Sequence, residues 1–196
     1  MNSTAYYLRT ILPERMKQVL LLSALLFLPL GLMAQKAKDE RPLRDRLWYG
    51  GNLGLLFGTV TSIQLDPMVG YKVDTQGKYI AGIGGSYWYF KDDRFNPAWS
   101  FTGYGYRVFN RYHVIPQAFI HAEFLHMNVD GARNELFGPL DQRIWVPHVL
   151  VGAGYMQSLG GRTGVFVQVL FDVLQDPNSI FFGQGPIFSV GGGFGF

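Results

Sequence analysis

From Leu47 onward the chain repeats one pattern: apolar side chains at every second position, with small or polar residues between them. The clearest case sets Ile63, Leu65, Pro67, Val69, Tyr71 and Val73 on one face and Ser62, Gln64, Asp66, Met68, Gly70 and Lys72 on the other. A period of two is the signature of a half-buried strand, and eight stretches carry it. The first sets Leu47, Tyr49, Leu53, Leu55 and Phe57 against Trp48, Gly50, Asn52 and Gly54. The third, Tyr79 to Lys91, has Gly82, Gly84 and Ser86 on its minor face, with Trp88 and Phe90 interrupting that face near its end. The fourth, Trp99 to Phe109, changes phase between Phe101 and Tyr104, which predicts a bulge near Thr102-Gly103. The fifth sets Val114, Pro116, Ala118, Ile120, Ala122 and Phe124 against Gln117, His121 and Glu123. The sixth opposes Val149, Val151 and Tyr155 to His148, Gly152 and Gly154, and the seventh opposes Val165, Val167, Val169 and Phe171 to Gln168 and Asp172. The eighth is the closing SVGGGFGF.

Alternating antiparallel strands fit either a soluble sandwich or barrel with its apolar face inward, or a membrane barrel with that face outward. The minor face favours the second. It carries Asp66, Lys72, Arg107, Glu123 and Asp172 in mid-strand among many glycines, which suits a narrow polar lumen. Aromatics gather near strand ends, as interfacial girdles do: Trp48, Tyr49, Trp99, Tyr106, Phe109, Tyr112, Trp145, Phe181 and Phe182. The links also alternate in length. Residues 74–78, 110–111 and 159–162 are tight, whereas 92–98, 128–142 and 175–186 are long, and only 58–61 breaks the series. The expectation is an all-β, eight-stranded, antiparallel up-and-down transmembrane barrel over residues 47–196, with both termini in the periplasm.

The N-terminus changes how the charge is read. Lys17, the apolar run VLLLSALLFLPLGLM (Val19 to Met33) and Leu32-Met33-Ala34 have the three-part layout of a secretory signal peptide over residues 1–34. The run is short for a transmembrane helix and contains Pro29. Met16 offers an alternative start, and residues 35–46 form a polar periplasmic lead-in. Of 17 basic and 14 acidic residues the leader removes Arg9, Arg15, Lys17 and Glu14, leaving 14 against 13. The formal +3 charge therefore lies largely in the leader, and no nucleic-acid partner is expected. Without cysteine, an exported chain must close its fold without disulfides.

Gln117 to Phe124 (QAFIHAEF), Trp145 to Tyr155 (WVPHVLVGAGY), Phe171 to Ile180 (FDVLQDPNSI) and the terminal aromatic alternation together resemble the small OmpA/OmpX-type eight-stranded outer-membrane barrels. The likeness is nearer to the short members typical of Bacteroidetes-type, Gram-negative bacteria, a group with no established activity, and covers residues 47–196. It implies an integral outer-membrane protein in contact with lipid. It also implies that Phe188, Val190, Phe194 and Phe196 resemble the signal read by the outer-membrane assembly machinery.

Buried charges must pair, so Asp66, Lys72, Arg107, Glu123 and Asp172 are candidates for a network that plugs the lumen. Gln64, Gln117, His121, His148 and Gln168 are candidate polar lumen residues; with Glu123 they could instead line a narrow solute channel. His121 and Glu123, two residues apart on one face, would suit a lipid-modifying enzyme, but no serine has an obvious place beside them. The same pair with His148 matches no strong metal motif, so neither catalysis, a metal nor a cofactor is expected. Gly82-Ile83-Gly84-Gly85 and Gly191-Gly192-Gly193 open no helix and so are not phosphate loops. The segment 128–142, with Leu136-Phe137 at its tip, is the best candidate for contacts with other surface proteins.

Overall fold

The structure, a computed structural model, describes residues 41–94, 99–129, 143–179, 181, 183 and 185–195. The leader with Met16, residues 35–40, the loop tip Leu136-Phe137, Phe182 and Phe196 lie outside the described residues. A single helical turn, α1 (Leu43–Arg46), leads into β1 (Leu47–Leu56), β2 (Val60–Lys72), β3 (Tyr79–Asp92) and β4 (Trp99–His113). They are followed by β5 (Ala118–Val129), β6 (Ile144–Gly160), β7 (Thr163–Asp172) and β8 (Ile187–Phe194). Each strand pairs antiparallel with the next, and β8 returns to β1, so the sheet is a closed eight-stranded up-and-down barrel without a free edge.

The links at one end span only 73–78, 114–117 and 161–162, and this is the turn end. At the other, the loop end, 57–59 is short while 93–98, 130–143 and 173–186 are longer. The β4–β5 link lies further along the chain than 110–111. The amides of Val114 and Ile115 both donate to the Ala118 carbonyl, at 3.0 and 3.4 Å, so the tight turn forms there. Arg111 consequently belongs to β4, and Pro116 sits in a turn where it withholds no ladder hydrogen bond. Gln117, expected in the lumen, is exposed in that turn and outside the ladder.

The expected bulge in β4 is absent. The register runs unbroken from Trp99 to Tyr112 against β3, and from Gly103 to His113 against β5. Phe101 therefore shares the inward face of Arg107 and Phe109 and is buried. The phase change in the sequence has a different cause: near the loop end the interior itself is apolar. Phe101, Leu125, Met127, Val146, Leu150 and Leu170 pack there, joined by Phe181 from the β7–β8 link. Near the turn end a second cluster comprises Trp48, Met68, Ile80, Phe109, Phe119 and Phe166. Trp48, Phe109 and Phe181 are thus interior residues and not part of a girdle.

The outward face reverses the rule for soluble proteins. Leu53, Ile83, Ile120, Val167, Phe171, Phe188 and Val190 are all exposed. Among the described residues, the sole Lys, Arg, Asp or Glu on an outward strand position is Lys91, at the loop end of β3. Tyr49, Tyr112 and Phe194 are exposed toward the turn end, and Tyr104, Tyr106 and Trp145 toward the loop end. The last three form a cluster with His126, whose ring lies 4.7 Å from Trp145 and whose Nδ1 is 2.9 Å from the Tyr106 hydroxyl.

Closure depends on a few glycines beside one large ring. The β1–β8 ladder pairs Tyr49 with Phe194, Gly50 with Gly193, Gly51 with Gly192 and Asn52 with Gly191. Trp48 fills the space that side chains at Gly50, Gly70 and Gly193 would take, since a Cβ on Gly193 would stand 2.9 Å from the indole. A rigid ring wedged against a strand cannot move aside. Gly193→Val is expected to destabilise the barrel by about 1–3 kcal/mol, the usual cost of overpacking, read as a lower urea midpoint; an unchanged midpoint would show that the ring has room.

Candidate functional site

Between the two apolar clusters, inward positions on six strands form a continuous polar belt. Asp66 on β2 is its first anchor: Oδ1 accepts from the Ser86 hydroxyl at 2.6 Å and faces Arg107 Nη2 at 2.7 Å. Its Oδ2 accepts from Gln64 Nε2 at 2.7 Å and from Asn52 Nδ2 at 3.4 Å. Arg107 on β4 then reaches across to β5, where Nη1 donates to both Glu123 carboxylate oxygens at 3.2 Å. Its Nη2 also donates to Ser86 Oγ at 3.1 Å. One guanidinium thus bridges two carboxylates, each about 1% exposed.

The belt continues through His121, whose Nε2 lies 3.3 Å from Glu123 Oε2. Arg111 Nε donates to His121 Nδ1 at 3.5 Å, and Arg111 Nη2 donates to Gln168 Oε1 on β7 at 3.4 Å. An arginine can only donate, so Nδ1 must accept and the proton resides on Nε2, where it is shared with Glu123. His121 is therefore the neutral Nε2–H tautomer, held by its two neighbours.

Arg111 is 1% exposed and, among the described residues, forms no ion pair with a carboxylate. Aromatic faces surround it instead: its guanidinium carbon lies 4.2 Å from the Phe119 ring centroid, 4.5 Å from Phe166 and 5.0 Å from Trp48. Cation–π attraction is strongest where water is excluded, and this cage offsets part of the desolvation cost. Two guanidiniums, Arg107 and Arg111, balance two carboxylates, Asp66 and Glu123, so the centre of the interior is electrically neutral.

The five charged residues singled out in the sequence do not form one group. Asp66, Arg107 and Glu123 are joined directly. Asp172 sits toward the loop end, where Oδ1 accepts from the Val149 and Leu174 amides at 3.3 and 3.1 Å and Oδ2 accepts from Ser179 Oγ at 3.3 Å. Lys72 sits at the opposite end, beside the β2–β3 turn. Of the polar set, Gln64, His121 and Gln168 belong to the belt, whereas His148 is separate: its Nδ1 donates to the Leu125 carbonyl at 3.3 Å and its ring meets Phe181 edge-on at 5.2 Å. His148 therefore does not complete a ligand set with His121 and Glu123, and among the described residues no three His, Cys, Asp or Glu side chains group to hold a metal. Phe188, Val190 and Phe194 point outward from β8.

Arg111, Asn52 and Ser86 were not among the sequence candidates for the belt. Arg111 lies four residues beyond Arg107, so two periods of strand alternation place it on the same face once β4 is extended.

No family model and no curated protein matches the chain. Several solved structures are similar to it, two of them as follows. One, from work on the de novo design of transmembrane β-barrels, is 14% identical with a TM-score of 0.39, covering 80% of this chain and 98% of that one. The other is the backbone structure of the Yersinia pestis outer membrane protein Ail in a phospholipid bilayer nanodisc, 9% identical with a TM-score of 0.44, covering 76% of this chain and 96% of that one.

Proposed function

We propose that the chain is an integral outer-membrane barrel with a structural or surface-interaction role rather than an enzymatic one, its bore plugged by its own side chains. The observation that carries this reading is the inversion of polarity: an outward strand surface of exposed Leu, Ile, Val and Phe surrounds buried Arg–carboxylate pairs. In water such a surface would exceed the apolar patches that soluble proteins leave open. In a bilayer it faces lipid, and the Tyr and Trp residues near both ends lie where headgroups meet hydrocarbon. The periplasm takes both termini and the turn end, while the longer loops face outward to other surface components. The outward aromatics of β8, with Phe196, serve as the signal for the assembly machinery. The short barrels of Bacteroidetes-type bacteria are the group to which this reading assigns the chain.

An eight-stranded bore is only wide enough for side chains. Here the polar belt spans the middle and Phe181 packs within the loop half, 5.3 Å edge-on from Trp88. That arrangement supports a plug over a solute channel. The class is tested by gel migration of the membrane fraction with and without boiling: a heat-modifiable band is expected, and a mature chain that stays soluble without detergent overturns the reading.

A further inference from the structure

At the turn end the interior opens into a cavity of about 250 Å³, bounded by the β2–β3 and β4–β5 turns. Lys72, Gln76, Lys78 and His113 contribute its polar lining, and Ile80, Pro116 and Met156 are among its apolar walls. At roughly 30 Å³ per water-sized group, that volume accepts about eight such groups.

Lys72 makes this cavity a site. The residue is only 8% exposed, and its stem is packed over Gly77, where a Cβ would stand 3.3 Å from Lys72 Cδ. Gly77 has φ +70, which keeps a side chain from that position. Among the described residues the ammonium makes no hydrogen bond or ion pair, although the carboxylates of Asp45 and Asp74 are near enough to be felt electrostatically. Both are committed elsewhere: Asp45 to Arg162 at 2.7 Å, and Asp74 to the Lys78 and Tyr79 amides at 3.1 and 2.8 Å. Arg41, donating to the Asp74 carbonyl at 2.7 Å, and Arg162 add positive charge nearby. An ammonium so little exposed, with neighbouring carboxylates bonded elsewhere and no direct partner of its own among the described residues, is costly unless something pairs with it.

We infer that the turn-end mouth binds an amphiphilic monoanion, its carboxylate on Lys72 Nζ and a short hydrocarbon body against Ile80, Pro116 and Met156. The requirement is for both parts. A bare anion would leave the apolar wall wet, and an uncharged chain would leave Lys72 unpaired.

The test uses the full mature chain in lipid nanodiscs, titrated with octanoate and followed by the amide resonances of Gly77 and Ile80. A saturable shift is expected in the wild type, with binding about tenfold or more weaker in Lys72→Met, as for loss of a charged hydrogen-bond partner. Lys72→Arg keeps the charge and is expected to retain most of the affinity. 1-Octanol and inorganic phosphate, which supply tail and charge separately, should each bind far more weakly. A shift that never saturates, or that is the same in Lys72→Met, overturns the site. Phosphate binding as well as octanoate overturns its amphiphilic character.

Discussion

Arg107→Ala is expected to cost the folded barrel about 3–5 kcal/mol, the usual penalty for removing one member of a buried ion pair. The cost arises from what remains. Without the guanidinium, Asp66 and Glu123 would both keep buried charges, and Arg111, held by aromatic rings and His121, lacks a direct bond to either. Urea titration of the barrel in lipid vesicles, followed by tryptophan fluorescence, measures the effect. The double variant Arg107→Met with Asp66→Asn is expected to recover most of the loss, because it leaves one buried cation, Arg111, against one buried anion, Glu123, and the interior neutral. If Arg107→Ala unfolded at the wild-type midpoint, the belt would be water-filled and the plug reading would fail.

Val167→Arg is expected to cost about 2–4 kcal/mol in a bilayer, the penalty for a cation near the midplane of a transmembrane barrel's outer face. Val167 occupies the middle of β7, opposite Tyr155 and Val190, and is 52% exposed. On a soluble protein the same surface change would fall within about 0.5 kcal/mol of neutral. The two outcomes are well separated, and vesicle refolding yields with urea midpoints distinguish them. A neutral result would remove lipid from the outward face.

Strand number, pairing order and most of the outward set were legible in the sequence because one face of each strand is predominantly apolar. Legibility fell where both faces became apolar. Phe101 faces inward, as Arg107 does, but lies among Leu125, Met127 and Val146, so the period-two signal vanishes there and imitates a bulge. Trp88 and Phe90, which interrupted the polar face of the third strand, pack against the same cluster for the same reason. Arg111 was hidden differently: an Asn-Arg pair after a run of strand residues reads as a turn, and only the bonding of Val114 and Ile115 to Ala118 moves the turn four residues on. Asp66, Arg107 and Glu123 could be placed on one face by parity. That Lys72 and Asp172 lie at opposite ends follows from register, which single-strand patterns do not contain.

The glycine-lined seam between β1 and β8 also bears on the order of events during folding. Its partners are the most distant in sequence of any ladder, and Gly50, Gly51 and the triplet Gly191-Gly192-Gly193 have little intrinsic preference for strand, so this ladder closes after the others. Trp48 must already be inside when it does, because Gly50, Gly70 and Gly193 leave the indole its space only within a closed wall. In a chain whose Trp88, Trp99 and Trp145 are replaced by Phe, the emission of Trp48 is expected to serve as a clock for the last step, changing when the cylinder seals and not when the sheet first forms.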